Sequence, residues 1–143
     1  MGVVVDASVV VNVLLTQDYS VQAERCLDDW KSSGEVLYAP AHWYAEVVSA
    51  LRFAVFKRKL APEDADLLVD ILLEMGVRVV EPTPALLKSS LRWAERLGQS
   101  KAYDAQYAAL AEQYGAELWS ADQRLVNALQ AQGAGWAHWI GEV

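Results

Sequence analysis

Apolar residues along this chain occur in two forms: short uninterrupted runs, and longer stretches where they return every three or four positions. The runs "VVV" (3–5), "VLYA" (36–39), "VRVV" (77–80) and "ELW" (117–119) predict four buried strands, and the tail "GWAHWIGEV" adds a short fifth. Helical spacing fills the intervals. A short helix is expected over 8–15, then one over "SVQAERCLDDWKSS" that stops near Gly34. "AHWYAEVVSALRFAVFKRK" sets Trp43, Val47, Ala50, Leu51 and Ala54 on one face. "ADLLVDILLEM" follows the helix starter "LAPED" and ends at Gly76, and "TPALLKSSLRWAERLG" opens at Thr83–Pro84 and ends at Gly98. "KAYDAQYAALAEQYG" strings Tyr103, Tyr107, Leu110, Ala111 and Tyr114 along one stripe, and "DQRLVNALQAQG" is the last helix.

Strands that alternate with helices pair in parallel through right-handed crossovers. The pattern therefore predicts an α/β three-layer sandwich around a central, mainly parallel sheet of four or five strands. Functional residues of such sheets gather beyond the carboxyl ends of the strands, where strand order reverses. Asp6 ends the first strand and "SAD" (120–122) ends the fourth. If those strands are central neighbours, Asp6 and Asp122 meet at one sheet edge.

Composition narrows the class. The chain has 143 residues, 54% of them hydrophobic, which fits one domain over 1–143 with a sizeable core. Its single cysteine, Cys26, excludes an internal disulfide framework and reads as a small helical hydrophobe, not a nucleophile. "ASVVVNVLL" is too short and too interrupted to span a bilayer, and the first residues lack the basic region of a secretory signal. Position 6 is Asp where the myristoylation pattern needs Ser or Thr. A cytoplasmic protein with no membrane association is expected. The net charge of −7 argues against general nucleic-acid affinity, although a local basic patch can coexist with an acidic body.

Four acids stand out by position. Asp6 follows three valines. Glu46 sits on the shoulder of an apolar stripe, between Trp43 and Ala50, and Asp104 opens the tyrosine-rich helix. Asp122 directly precedes "QRLVNAL". Each has a structural explanation: Asp6 and Asp122 as helix caps, Asp104 as a helix-start acid, Glu46 as a partner of Arg52 or Lys57. Together they suggest more, because carboxylates sharing one pocket repel unless a cation is present. Hard divalent ions with oxygen ligands relieve that repulsion. Two distant histidines, His42 and His138, and one cysteine make no zinc centre, and they read as ordinary surface or packing residues. No Gly-rich phosphate loop is present.

The segments "VVVDASVVVN", "HWYAEVVSAL" and "YDAQYAALAEQYGAELWSADQRL" resemble the PIN-domain ribonucleases and, within them, the VapC-like toxins of toxin–antitoxin pairs. The likeness runs nearly end to end and is most specific over 103–125. It implies a PIN-like fold, with Asp6, Glu46, Asp104 and Asp122 as the acidic quartet. Ser8 matches the small polar residue two after the first acid, and Ser120 the hydroxyl of the last motif, where threonine is common. The implied activity is endoribonuclease cleavage of phosphodiester bonds with Mg²⁺ or Mn²⁺. Asp6 and Asp104 are then first choices as ligands, direct or through water, and Asp122 completes the shell or holds a second ion. Glu46 orients or deprotonates the attacking water, while Ser8 and Ser120 fix the carboxylates. Asn12 has no expected role.

RNA also needs positive charge. Lys88, Arg92 and Arg96 share one helix face, and Arg52, Lys57, Arg58 and Lys59 cluster beyond Glu46. Solvated helix faces explain these equally well. Arg96 and Lys101 are the better candidates, being nearest Asp104 in the chain. Among six tryptophans, Trp30, Trp93 and Trp119 are expected in or against the core; Trp43, Trp136 and Trp139 are the candidates for stacking a base or lining an interface. The resemblance further implies a homodimer that binds a cognate antitoxin, and the broad apolar stripe of "LLVDILLEM" is consistent with such contacts. Rival readings are a haloacid-dehalogenase-like phosphatase, which needs an acid where Ser8 stands, and a two-component receiver, whose acidic pair and late lysine are not evident. A catalytically silent PIN domain serving as a binding or scaffold module is the alternative from another class.

Overall fold

The computed structural model describes residues 2–143. In chain order it contains β1 (Gly2–Val5), α1 (Ala7–Leu14), α2 (Ser20–Ser32), β2 (Val36–Pro40), α3 (Trp43–Phe56), α4 (Pro62–Glu74) and β3 (Arg78–Val80). There follow α5 (Pro84–Arg96), α6 (Tyr103–Tyr114), β4 (Glu117–Ser120), α7 (Gln123–Ala131), β5 (Ala137–Trp139) and a 3₁₀ turn over Ile140–Glu142. The strands form one parallel sheet in the order β3-β2-β1-β4-β5. The three-layer α/β expectation is met, with the fifth strand present.

Strand order reverses at β1, which pairs with β2 on one side and β4 on the other. Right-handed crossovers require α1–α4 on one face and α5–α7 on the other, because the chain moves in opposite directions from β1 in its two halves. The packing agrees: α1 touches α2, α3 and α4, whereas α6 lies against β1, β2 and β4 and is backed by α5. Val3, Val4 and Val5 are buried from both faces, which explains the unbroken valine run. Tyr107, Ala108, Leu110 and Ala111 of α6 meet that sheet with no exposed surface.

Local chemistry sets most boundaries. Thr83 Oγ1 accepts from the Leu86 N–H and caps α5, with Pro84 in its first turn. Gly115 takes a left-handed φ of 59° to end α6. The expected third helix is shortened at both ends, to Trp43–Phe56. Its stop comes from Arg58, which adopts φ 59° while the Lys59 N–H closes on the Ala54 carbonyl at 2.9 Å. No glycine marks that turn in the sequence, so the pattern overran it.

Candidate active site

The site is built at the point where β1 gives way to α1. The Asp6 N–H donates to the Trp119 carbonyl at 3.0 Å and extends the β1–β4 ladder by one residue. This register sets Asp6 beside Ser120 at the carboxyl ends of both central strands. Asp6 occupies the cap position of α1, yet its side chain makes no capping bond. Its Oδ2 instead accepts from Ser8 Oγ at 2.8 Å and from Ser120 Oγ at 2.6 Å. Those hydroxyls are in turn held by backbone donors: Ala121 N–H to Ser8 Oγ at 2.9 Å, and Asp122 N–H to Ser120 Oγ at 2.9 Å. The two hydroxyls also lie 3.3 Å from each other, so Asp6, Ser8 and Ser120 form one hydrogen-bonded cluster anchored by two backbone donors.

Asp6, Glu46, Asp104 and Asp122 line one cavity of about 340 Å³, together with Ser8, Asn12 and Gln17. The four acids singled out by position thus share the cavity with Ser8, while Ser120 is fully buried and, of the four acid side chains, bonds only that of Asp6. Asp6 is only 6% exposed, and burial pushes its pKa up to about 6. The Ser120 and Ser8 hydrogen bonds work against that rise, and the Glu46 and Asp104 charges add to it. Asp104, in the first turn of α6, is also raised, first by burial, with the Gln99 hydrogen bond opposing and the Glu46 and Asp122 charges assisting. Asp122 is exposed, and its Oδ1 caps α7 by accepting from the Arg124 and Leu125 N–H groups. Its structural role is real and leaves the second oxygen for the cavity.

Glu46 is held differently from the other three. The Tyr107 hydroxyl donates to Glu46 Oε1 at 2.7 Å and accepts from the Ala7 N–H at 3.3 Å. His42 Nε2 stands 3.1 Å from the same carboxylate oxygen. Burial works to raise the Glu46 pKa, but His42 and Tyr107 outweigh it, so the net direction is down. One phenol therefore links the carboxylate on α3 to the junction that carries Asp6. The expected pairing of Glu46 with Arg52 or Lys57 does not occur: Arg52 lies over Phe56 and Lys57 over Phe53.

Several assignments change. Arg96 does not serve this cavity. Its guanidinium lies 3.9 Å from the Trp93 ring centroid and donates to the Gln132 carbonyl at 2.6 Å, beyond the far end of the helix that Asp122 caps. Cation–π contact and a backbone acceptor satisfy it where it is. Lys101, by contrast, lines an adjoining cleft of about 610 Å³ with Glu46, Gln99, Ser100, Tyr103 and Asp104. Trp43 is fully buried and cannot stack a base, while Trp136 and Trp139 are half-buried against Trp93 and Tyr19. Tyr103 and Tyr114 share a helical stripe with the buried Tyr107 and are themselves exposed. Cys26 is buried with its thiol pushed up to about 11 by burial, then by Asp29, as suits a packing residue.

Sequence reasoning missed three contributors. His42 precedes Glu46 by one helical turn, and that spacing was the available signal. Tyr107 lies on the helical stripe and is buried, but its hydroxyl reaches across sixty-one positions of chain to Glu46. Asn12 is buried, donates to the Ser8 carbonyl at 2.8 Å and accepts from the Tyr19 N–H at 3.2 Å, so it braces α1 against the start of α2.

The donor set suits a hard cation. Among the described residues the close contacts between basic and acidic side chains are His42 with Glu46 and His138 with Glu117, and no Lys or Arg lines the cavity. Among the described residues no three His, Cys, Asp or Glu side chains converge closely enough to hold a metal ion unaided. An ion there would complete its shell with water, which is how Mg²⁺ is usually held.

Residues 3–128 match the PIN domain family. The chain belongs to that family. It is 30% identical over 134 residues to ribonuclease VapC12 of Mycobacterium tuberculosis, covering 87% of this chain and 90% of the relative. Among solved structures, PAE2754 from Pyrobaculum aerophilum superposes with a TM-score of 0.72 at 24% identity, over 99% of this chain and 85% of that one. A toxin–antitoxin complex from Klebsiella pneumoniae gives 0.68 at 12% identity, over 96% of each chain. These structural likenesses concern the fold. No helix among the described residues is long and apolar enough to cross a membrane.

Proposed function

We propose that this PIN-family chain is a divalent-metal-dependent endoribonuclease and the toxin of a toxin–antitoxin pair, with residues 1–143 acting as one nuclease domain in the cytoplasm. The observation that carries the reading is the convergence of Asp6, Glu46, Asp104 and Asp122 on one cavity that no Lys or Arg side chain neutralises. The likeness to a named ribonuclease supports it.

Asp6 and Asp104 are the proposed ligands of Mg²⁺ or Mn²⁺, directly or through water, with Asp122 completing the shell or holding a second ion. Such an ion, when bound, supplies Lewis acidity toward the phosphate and lowers the pKa of water. The chain does the rest. Ser8 and Ser120 hold Asp6 in one rotamer, and Gln99 donates to Asp104 Oδ2 at 3.2 Å. Glu46, with its pKa held down, is ionised at neutral pH and suited to orient a water or take its proton. Lys101 is the proposed contact to substrate phosphate.

The named toxin–antitoxin complex with this fold supports a protein antitoxin as partner. Leu67, Ile71 and Leu73 on α4, and Phe53 and Phe56 on α3, are exposed, which supports further protein contact, including a homodimer. Incubation with mixed RNA and Mn²⁺ tests the activity. Wild type should cleave, and Asp6→Asn and Asp104→Asn should not. Cleavage that survives both substitutions would sink the metal-site assignment. Absent cleavage together with absent Mn²⁺ binding by calorimetry would favour a silent scaffold.

A further inference from the structure

Three clefts run together across the carboxyl ends of the strands. The acidic cavity shares Glu46 and Asp104 with the 610 Å³ cleft on one side, and Ser8, Asn12, Gln17 and Asp122 with a cleft of about 460 Å³ on the other. The trench is a path for an extended strand over the acids. Its two arms differ in chemistry. The arm at Asp18 and Asp122 has acids and no cation in its lining, whereas the arm at Lys101 carries the trench's cation and an aromatic ring open to solvent.

That ring is Tyr103, at the first position of α6 and 57% exposed, although Tyr107, Leu110 and Ala111 on the same helical stripe are fully buried. His42 lies behind it, with centroids 5.7 Å apart, and His42 in turn meets the Tyr107 ring edge-on at 5.3 Å. Tyr103 is thereby backed on one side and free on the other, and it adjoins Asp104 in sequence and in the cleft. Gln99 and Ser100 line the same space and offer polar groups to a base edge. Leaving a large aromatic in water beside a lone cation and two carboxylates gains nothing for folding.

We propose that the Tyr103 cleft is a nucleobase subsite: the phenol ring stacks one base of single-stranded RNA, Lys101 meets the neighbouring phosphate, and the next phosphodiester is delivered to the acidic cavity. Tyr103 is thus a substrate-positioning residue for the nucleotide beside the cut. The inference rests on the ribonuclease reading for its substrate class. A flat π-face accepts any base, so the subsite confers grip before selectivity, and selectivity falls to Gln99 and Ser100. A protein segment is the competing occupant, but the shared wall with Glu46 and Asp104 favours the molecule whose bond is cut there.

The test is fluorescence anisotropy of a labelled single-stranded RNA of about eight nucleotides, within the usual site size for such grooves, with Ca²⁺ in place of Mg²⁺. Tyr103→Ala should weaken binding at least about fivefold, from the loss of one stacked base, and Tyr103→Phe should stay within about twofold. An abasic oligomer should bind wild type and Tyr103→Ala alike. Thermal melts should show both variants folded, since the side chain is exposed. Equal RNA affinity for Tyr103→Ala and wild type would overturn the subsite and assign the ring to protein contact, and so would no RNA binding by wild type. Equal loss in Tyr103→Phe would overturn stacking. Tyr103-dependent binding without cleavage in a parallel Mn²⁺ assay would remove the nuclease reading and leave the subsite standing.

Discussion

At position 6 a carboxylate is held almost out of water by two hydroxyls and no cation. Its rise from 3.8 to about 6 corresponds to about 3 kcal/mol of folding free energy at neutral pH. The folded state binds this proton more tightly than the unfolded chain, so between roughly pH 4 and 6 the stability contribution falls as pH rises. Asp6→Asn keeps one oxygen to accept both hydroxyls and removes the charge. In EDTA it should be more stable than wild type at pH 7.5, by up to about 3 kcal/mol, with the gain shrinking toward zero near pH 4. Urea titrations at both pH values check this, and an equal gain at each would show that charge is not the cause. Tyr107→Phe isolates the other anchor. It keeps the buried ring but strips a donor from Glu46 and an acceptor from the Ala7 N–H, and should cost about 2 kcal/mol of stability. Cleavage should fall about tenfold through kcat with RNA affinity unchanged, because Glu46 loses its orientation rather than its contact with substrate. A change confined to KM would point to Tyr107 acting on binding.

Among the elements, those with strong local signals were legible in the chain. Valine runs buried on both faces gave β1, the Thr83–Pro84 pair gave the start of α5, and Gly115 gave the end of α6. The convergence of Asp6 with Asp122 was legible too, because parallel crossovers leave few strand orders. What resisted reading was chemistry without a local marker. The end of α3 rests on an arginine in a conformation usually left to glycine, and Arg96 is captured by an acceptor thirty-six positions away. The exposure of Tyr103 was hidden because helical periodicity placed it on the same stripe as Tyr107, although α6 begins there, past the edge of the sheet. The α3 stop yields a direct prediction. Arg58→Gly should stabilise the fold by about 1 kcal/mol, since glycine reaches φ 59° without Cβ strain, and Gly115→Ala should destabilise it by a similar amount. Chemical denaturation of the pair decides it: opposite signs are expected, and matching signs would refute the account of both turns.

The whole molecule carries −7 and yet is assigned an RNA substrate. Electrostatics makes that combination depend on the bound ion. With the acids unneutralised, the trench repels phosphate, and Lys101 is the cation that lines its walls among the described residues. A divalent ion reverses the local sign without changing the acidic surface elsewhere. RNA affinity should therefore rise sharply on adding Mg²⁺ or Ca²⁺ and fall on chelation. Its dependence on monovalent salt should be shallow. Single strands release about 0.7 counterion per phosphate neutralised, so one or two contacts give a log–log slope of about −0.7 to −1.4. A slope several times steeper, persisting in EDTA, would mean that a basic surface such as Lys57–Lys59 or Lys88–Arg92 does the binding and that the trench is not the RNA path. Anisotropy titrations across KCl concentrations, repeated for Lys101→Ala, separate the two: the substitution should reduce the slope by about 0.7 if Lys101 meets a phosphate, and leave it unchanged if the distant lysines carry the strand.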